Sequence, residues 1–150
     1  MKMKTLEIEM ESYLEQLRAH RRALHRIPEI GEQEHKTQAY IWEQLLQLEP
    51  DDLRVFADTG VRAVFKGNGQ GRTVAFRADI DALPVKEETG CSYVSQHEGF
   101  MHACGHDGHM ANLLVFAMWL NAHRKELVDN VVLLFQPAEE TVGGAKRMID

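Results

Sequence analysis

Asn130-Val131-Val132-Leu133-Leu134-Phe135-Gln136 is the stretch on which the fold turns. An unbroken apolar run of this length suits a strand covered on both faces, the kind found in layered α/β sheets. Pro137 stops it, because proline has no N–H to give to a ladder. Working back, residues 108–123 place Met110, Leu113, Leu114, Ala117 and Leu120 at helical spacing. Residues 53–57, 61–66 and 73–78 are short runs rich in Val and Phe, each predicting a strand. Asp58-Thr59-Gly60 is short enough to join the first two as a pair. Gly67-Asn68-Gly69-Gln70-Gly71 is a strong turn signal.

Two helices precede the strands. Residues 6–26 carry Leu14, Leu17 and Leu24, and Pro28 ends the segment; residues 32–48 carry Tyr40, Ile41, Leu45 and Leu48, and Pro50 closes it. Residues 79–102 show no periodicity and read as a long loop, the usual seat of function. Gly143-Gly144 opens a last helix. Helices first, then strands alternating with helices, predict an α/β domain with a mixed sheet flanked by helices.

Composition narrows the function. With 150 residues, 44% of them hydrophobic, the chain has the size and apolar content of one packed domain. A formal charge of −6 and no basic run disfavour a nucleic-acid surface. No window approaches a membrane span, and the charged start shows no signal peptide. The two cysteines, Cys91 and Cys104, are too few for a disulfide scaffold, so a reducing, cytoplasmic setting is expected. Cys91 reads as an ordinary buried or loop thiol.

The chemistry concentrates in Met101-His102-Ala103-Cys104-Gly105-His106-Asp107-Gly108-His109, where nine residues hold three histidines, a cysteine and an aspartate. Thiolate with imidazole suits zinc or a neighbouring transition metal. In an extended segment Cys104 and His106 point to one side, and His102 shares it. His106 and His109 share a face if a helix starts near Gly105. The plainer alternative is a helix start capped by Asp107, with surface histidines. Asp79 and Asp81 leave a strand end and alternate about Ile80, so both carboxylates can face one cleft; the plainer alternative is turn carboxylates bonding locally. Glu139 and Glu140 follow the most apolar strand. Adjacent side chains diverge, so one can bind a metal while the other faces substrate, the arrangement of metal-assisted hydrolysis. The basic cluster Arg21-Arg22-Ala23-Leu24-His25-Arg26 ends a helix, where cations are favoured, and receives no catalytic role.

Four stretches taken together carry a family resemblance. They are Leu24-His25-Arg26-Ile27-Pro28-Glu29-Ile30-Gly31, Arg77 to Pro84, Met101 to His109, and Phe135 to Glu140 with Gly143-Gly144-Ala145. The chain resembles the metal-dependent N-acyl-amino-acid amidohydrolases, which include aminoacylases, hippurate hydrolases, auxin-conjugate hydrolases and N-acetyldiaminopimelate deacetylases. Lys36-Thr37-Gln38 is similar to the last group. The resemblance implies a zinc-carboxypeptidase-like catalytic domain and a centre of two divalent ions, whether zinc, manganese, nickel or cobalt. It implies Cys104, His106 and Glu140 as metal ligands, Glu139 as general base, and Asp81 as the active-site aspartate that positions a ligand. Asp79 stands where more distant peptidases carry a metal-binding histidine; the resemblance assigns no role to His102 or His109.

It further implies that residues 1–150 are the N-terminal portion of an incomplete catalytic domain. A lid or dimerisation domain and two more histidine ligands would lie beyond Asp150, and the whole protein would form a homodimer. The activity implied is hydrolysis of the amide bond of N-acyl amino acids, N-acetyldiaminopimelate among them. The alternatives are a dipeptidase of the same fold and a non-catalytic metal-binding fragment.

Overall fold

The computed structural model describes residues 9–141 and 143–148. Helix α1 spans Leu14–His25 and α2 spans His35–Leu46. Strands β1 (Asp52–Phe56), β2 (Gly60–Phe65) and β3 (Thr73–Asp79) follow, then α3 (His106–Ala122) and β4 (Asn130–Gln136). Short 3₁₀ turns occupy Arg124–Glu126 and Gly144–Met148. The sheet runs in the order β1-β2-β4-β3. β1 pairs antiparallel with β2, β2 antiparallel with β4, and β3 parallel with β4. The mixed sheet expected from the sequence is therefore present.

Each strand lies within a residue of its expected place, and the expected pairing of β1 with β2 through the 58–60 link holds, with Phe56 opposite Gly60. The helices are shorter than their apolar patterns. Residues 6–8 of the first expected helix lie outside the described residues. Within it, Ser12 and Tyr13 form a turn, and the Ser12 hydroxyl donates to the Glu9 carbonyl at 2.6 Å. That local bond competes with helix continuation. At the second helix, Glu32 takes a left-handed φ of 71°, so the helix starts at His35. The expected last helix is a five-residue 3₁₀ turn, its final expected residues outside the described ones.

The expectation that β4 is covered on both faces is corrected. Among the described residues the helices pack on one face. Val131, Leu133 and Phe135 are buried there, while Val132 and Leu134 on the other face are half-buried. The core joins Leu24 of α1, Ile41 and Leu45 of α2, and Met110, Leu113, Leu114, Ala117 and Leu120 of α3 to Val61, Ala63 and Phe65 of β2. The opposite face sets Arg62, Leu134 and Arg77 in line across β2, β4 and β3.

The link from β3 to β4 decides where function can sit. A parallel pair needs a crossover, and α3 supplies it. The crossover brings the chain back over the sheet, so the start of α3 returns to the carboxyl ends of β3 and β4. Asp79 and Gln136 end those strands side by side, and the Ile80 N–H extends the ladder to the Gln136 carbonyl at 2.9 Å. The loops carrying Asp81, Glu139 and Glu140 thus leave from neighbouring points, where α/β sheets hold their ligands.

Leu133 is fully buried in the central strand, whereas Val55 on edge strand β1 is 48% exposed. Leu133→Ala is expected to cost about 2–5 kcal/mol, and Val55→Ala about 0.5 kcal/mol or less. Urea unfolding with an unchanged m-value checks the difference.

Candidate metal centre

The sequence places Cys104 and His106 two apart, but an extended backbone is not what brings them together. Residues 103–104 form a turn, and the Gly105 N–H reaches back to the His102 carbonyl at 3.2 Å. Gly105 then caps α3 with a φ of 80°, a left-handed conformation that favours glycine. His106 enters the first turn of α3 and is buried, while Cys104 stays exposed at the turn. His102 is not among the residues whose ligand atoms converge here. It is 3% exposed, and neither ring nitrogen has a hydrogen-bond partner among the described residues. Burial pulls its imidazole down to about 4. His109 is exposed, and its ring lies 5.8 Å from that of His106.

Glu140 completes the convergence. The ligand atoms of Cys104, His106 and Glu140 all lie within 4.8 Å of one another. His106 Nε2 faces the Glu140 carboxylate at 3.9 Å. Its other nitrogen, Nδ1, donates to the Asp81 carbonyl at 2.8 Å and lies 3.5 Å from Asp81 Oδ1. That bond settles the ring's orientation and leaves Nε2 toward the other two groups, the task outer-shell partners perform behind a metal-binding histidine. Asp81 is 1% exposed, and its Oδ2 accepts the Glu140 N–H at 2.8 Å. Glu139 is exposed beside it and is not one of the three. Asp79 accepts instead from Arg77 at 3.2 Å, and its Oδ1 is buried without a partner among the described residues.

The electrostatics are one-sided. The Cys104 thiol is pushed up by its hydrogen bond with Glu140, by burial and by the carboxylates of Glu140, Glu139 and Asp81. Hydrogen bonding to Asp81 holds the His106 imidazole up, to about 9, against the effect of burial. Burial pushes Asp81 up, but His106 and the N–H groups of Glu140 and Glu139 outweigh it and keep the carboxyl below its usual range. A thiol, an imidazole and three acids in one corner form a negative pocket, which a cation relieves. The donor set, one sulfur, one imidazole nitrogen and one carboxylate oxygen, is of the kind that suits a divalent transition metal.

Two residues behind this corner carry no motif. Glu34 has no exposed surface, yet accepts the Thr59 hydroxyl at 2.6 Å and the Ala138 N–H at 2.8 Å. Ala138 has a φ of 53°, so Glu34 fixes a strained turn immediately before Glu139. Asp107 is 1% exposed and accepts from His25 at 2.9 Å and Arg21 at 3.3 Å. The basic end of α1 therefore supports the start of α3, a role not expected from the sequence. An acid among helix-start residues looks like any solvated one, so only the packed structure marks Glu34 out.

Residues 75–150 match the model of Peptidase family M20/M25/M40. The N-acetyldiaminopimelate deacetylase of Halalkalibacterium halodurans is 49% identical over 131 residues, covering 87% of this chain and 35% of that protein. The N-acetyl-L-cysteine deacetylase of Bacillus subtilis is 43% identical over 147 residues, covering 95% of this chain and 34% of that protein. The Bacillus subtilis YXEP protein, described as a dinuclear metal binding peptidase from M20 family, superposes with a TM-score of 0.87 at 40% identity, over 93% of this chain and 39% of that one. The chain spans about a third of the length of the curated relatives it matches.

Glu34→Ala leaves a hydroxyl and a backbone N–H without their acceptor, each costing about 1–3 kcal/mol. Glu34→Gln keeps an acceptor oxygen and is expected to cost less. Burial raises the Glu34 carboxyl in the folded state against hydrogen bonds that lower it. A raised folded value means that stability is lost as pH climbs past the ordinary carboxyl range. The stability of wild type relative to Glu34→Gln should therefore fall as pH rises from about 4 to neutrality. Chemical denaturation across that range measures it, and a gap that widens in favour of wild type contradicts this account.

Proposed function

This chain belongs to Peptidase family M20/M25/M40, and from that premise we propose that it is the N-terminal portion of the catalytic unit of a metal-dependent amidohydrolase. The substrate is an N-acyl amino acid, and the reaction is deacylation. The observation that carries this reading is the approach of the Cys104, His106 and Glu140 ligand atoms to within 4.8 Å, with a second, exposed carboxylate at Glu139. The names of the deacetylases that it is similar to support an N-acetyl group, with N-acetyldiaminopimelate as one candidate substrate.

In this reading Cys104, His106 and Glu140 hold divalent ions, two of them by analogy with the dinuclear YXEP protein. Zinc, manganese, nickel and cobalt all suit the donor set. Bound there, the ions supply Lewis-acid polarisation of the amide carbonyl and of the attacking water. The chain's own groups do the rest. Asp81 holds His106 through its carbonyl and holds Glu140 through that residue's N–H. Glu139 takes the proton of the water as its oxygen adds to the acyl carbon. It then returns that proton to the amine nitrogen as the C–N bond breaks, so the products are a carboxylate and a free amino acid. Further ligands and a lid or dimerisation domain belong to the remaining length that the relatives share. A cytoplasmic setting and a homodimer complete the proposal. No described helix is long and apolar enough to cross a membrane.

Glu139→Gln in the intact protein is expected to lower kcat by about 10²–10⁴-fold or more while metal content stays at the wild-type level. Cys104→Ala is expected to lose metal first. Elemental analysis beside a turnover assay on N-acetyl, N-benzoyl and diaminopimelate substrates separates the two effects. Full activity in Glu139→Gln would remove its role as base.

A further inference from the structure

A second convergence of ligand-type atoms lies away from Cys104. His25 closes α1, and Glu87 and Cys91 lie in the long loop after β3. Their ligand atoms also lie within 4.8 Å of one another. His25 Nε2 is 3.1 Å from Glu87 Oε1, and Cys91 Sγ is 3.7 Å from the same oxygen. Ligands of one tetrahedral zinc stand about 3.3 Å apart for nitrogen and oxygen and about 3.5 Å apart for sulfur and oxygen. The two measured edges, 3.1 and 3.7 Å, lie within about 0.2 Å of those figures, and the third is under 4.8 Å. The His25 and Glu87 side chains are 6% and 4% exposed, and Cys91 is half-buried.

The surroundings are those of a built site. His25 Nδ1 is 2.9 Å from Asp107 Oδ2, a carboxylate placed behind the imidazole as it is behind metal-bound histidines. Glu87 Oε1 is oversubscribed as a hydrogen-bond acceptor. It faces the His25 ring, the Thr89 hydroxyl and the Cys91 thiol together, while Glu87 Oε2 accepts the Ser95 N–H at 2.6 Å. A carboxylate oxygen has about two acceptor positions, so three donors compete for them. A cation in the middle removes two of those donors.

We propose that His25, Glu87 and Cys91 form a divalent-cation site separate from the Cys104 centre, taking zinc through an imidazole nitrogen, a carboxylate oxygen and a thiolate. The soft sulfur selects zinc or a neighbouring transition metal over magnesium or calcium. Taken up through a thiolate and an imidazole nitrogen, the ion displaces the Cys91 Sγ and His25 Nε2 protons to solvent, and the fourth position stays open to water. The ion fastens the loop after β3 to the end of α1. Through Asp107 it also stiffens the support beneath His106. The site does not depend on the amide-hydrolysis reading, and its test reads no activity.

The intact protein, stripped with a chelator and titrated with zinc, is expected to hold one equivalent more than Cys91→Ala by elemental analysis. Cobalt added to Cys104→Ala should give a thiolate-to-cobalt charge-transfer band that is absent from the Cys104→Ala/Cys91→Ala variant, with matching far-UV circular dichroism. Equal zinc content in wild type and Cys91→Ala overturns the proposal, as does loss of all metal from Cys91→Ala. So does a cobalt band that survives in the double variant or never forms in a folded Cys104→Ala. Should Cys104→Ala fail to fold, cobalt-loaded wild type is compared with Cys91→Ala, and an undiminished band there overturns it equally.

Discussion

Asp81 is the residue through which three distant segments meet. Its carbonyl accepts from His106 at the start of α3, and its side chain accepts from the Glu140 N–H after β4. It can do so because β3 and β4 run parallel and end together, with Asp79 opposite Gln136. Two residues past that pair, the chain is still within one hydrogen bond of the loop after β4. An antiparallel β3 would send Asp81 to the other end of the sheet. The site is therefore a consequence of strand direction before it is a consequence of any side chain. A buried carboxylate is costly unless hydrogen-bonded; Asp81 Oδ2 takes the Glu140 N–H, and Oδ1 stands 3.5 Å from His106 Nδ1.

The same trade recurs one layer further out. Glu34 and Asp107 are charged side chains with almost no exposed surface. Glu34 is satisfied by Thr59 and Ala138, while Asp107 Oδ2 accepts from His25 and Arg21 and its Oδ1 has no partner among the described residues. Apolar residues of similar volume would fill the same space at less cost in desolvation. What they would not do is direct the Ala138 turn or anchor the first turn of α3 to α1. Each buried acid thus stands behind one of the elements that deliver Glu140 and His106. The hydrophobic core fixes the helices and sheet to one another, and these polar contacts fix the last few degrees at the ends.

Much of this was legible in the sequence, and the part that was not has a common cause. β4 was legible to the residue, since an apolar run bounded by Asn130 and Pro137 permits little else. The remaining strands were within a residue because Gly and Asp mark their ends. The fold class followed from the order of elements, and the convergence of Cys104, His106 and Glu140 was expected through the family resemblance. Periodicity could not show the Ser12 turn, nor the left-handed Glu32 that shortens α2. The extended geometry expected at residues 102–106 was wrong because Gly105 permits a φ of 80° and breaks the alternation. His102 is buried and is not one of the three groups whose ligand atoms converge. Glu34, Asp107 and His25 were passed over for a different reason. Their partners lie 25 to 104 residues away in sequence, and no local pattern records a contact of that range.

The electrostatics of the corner also explain why two adjacent acids have different tasks open to them. The Cys104 thiol is pushed up and the His106 imidazole is held up, and the carboxylates around them cause both. Surplus negative charge makes each group keep its proton, so a cation entering the corner displaces protons and replaces like-charge repulsion with attraction. Glu140 is committed to that corner, because its backbone is tied to Asp81 and its carboxylate faces His106. Glu139 precedes it by one residue, and consecutive side chains after a strand end point apart. It stays exposed and keeps its carboxylate free. One acid fixed and one acid free therefore follow from a single bend at Ala138, which Glu34 holds from below. A chain that lost the bend would keep both acids and lose the distinction between them.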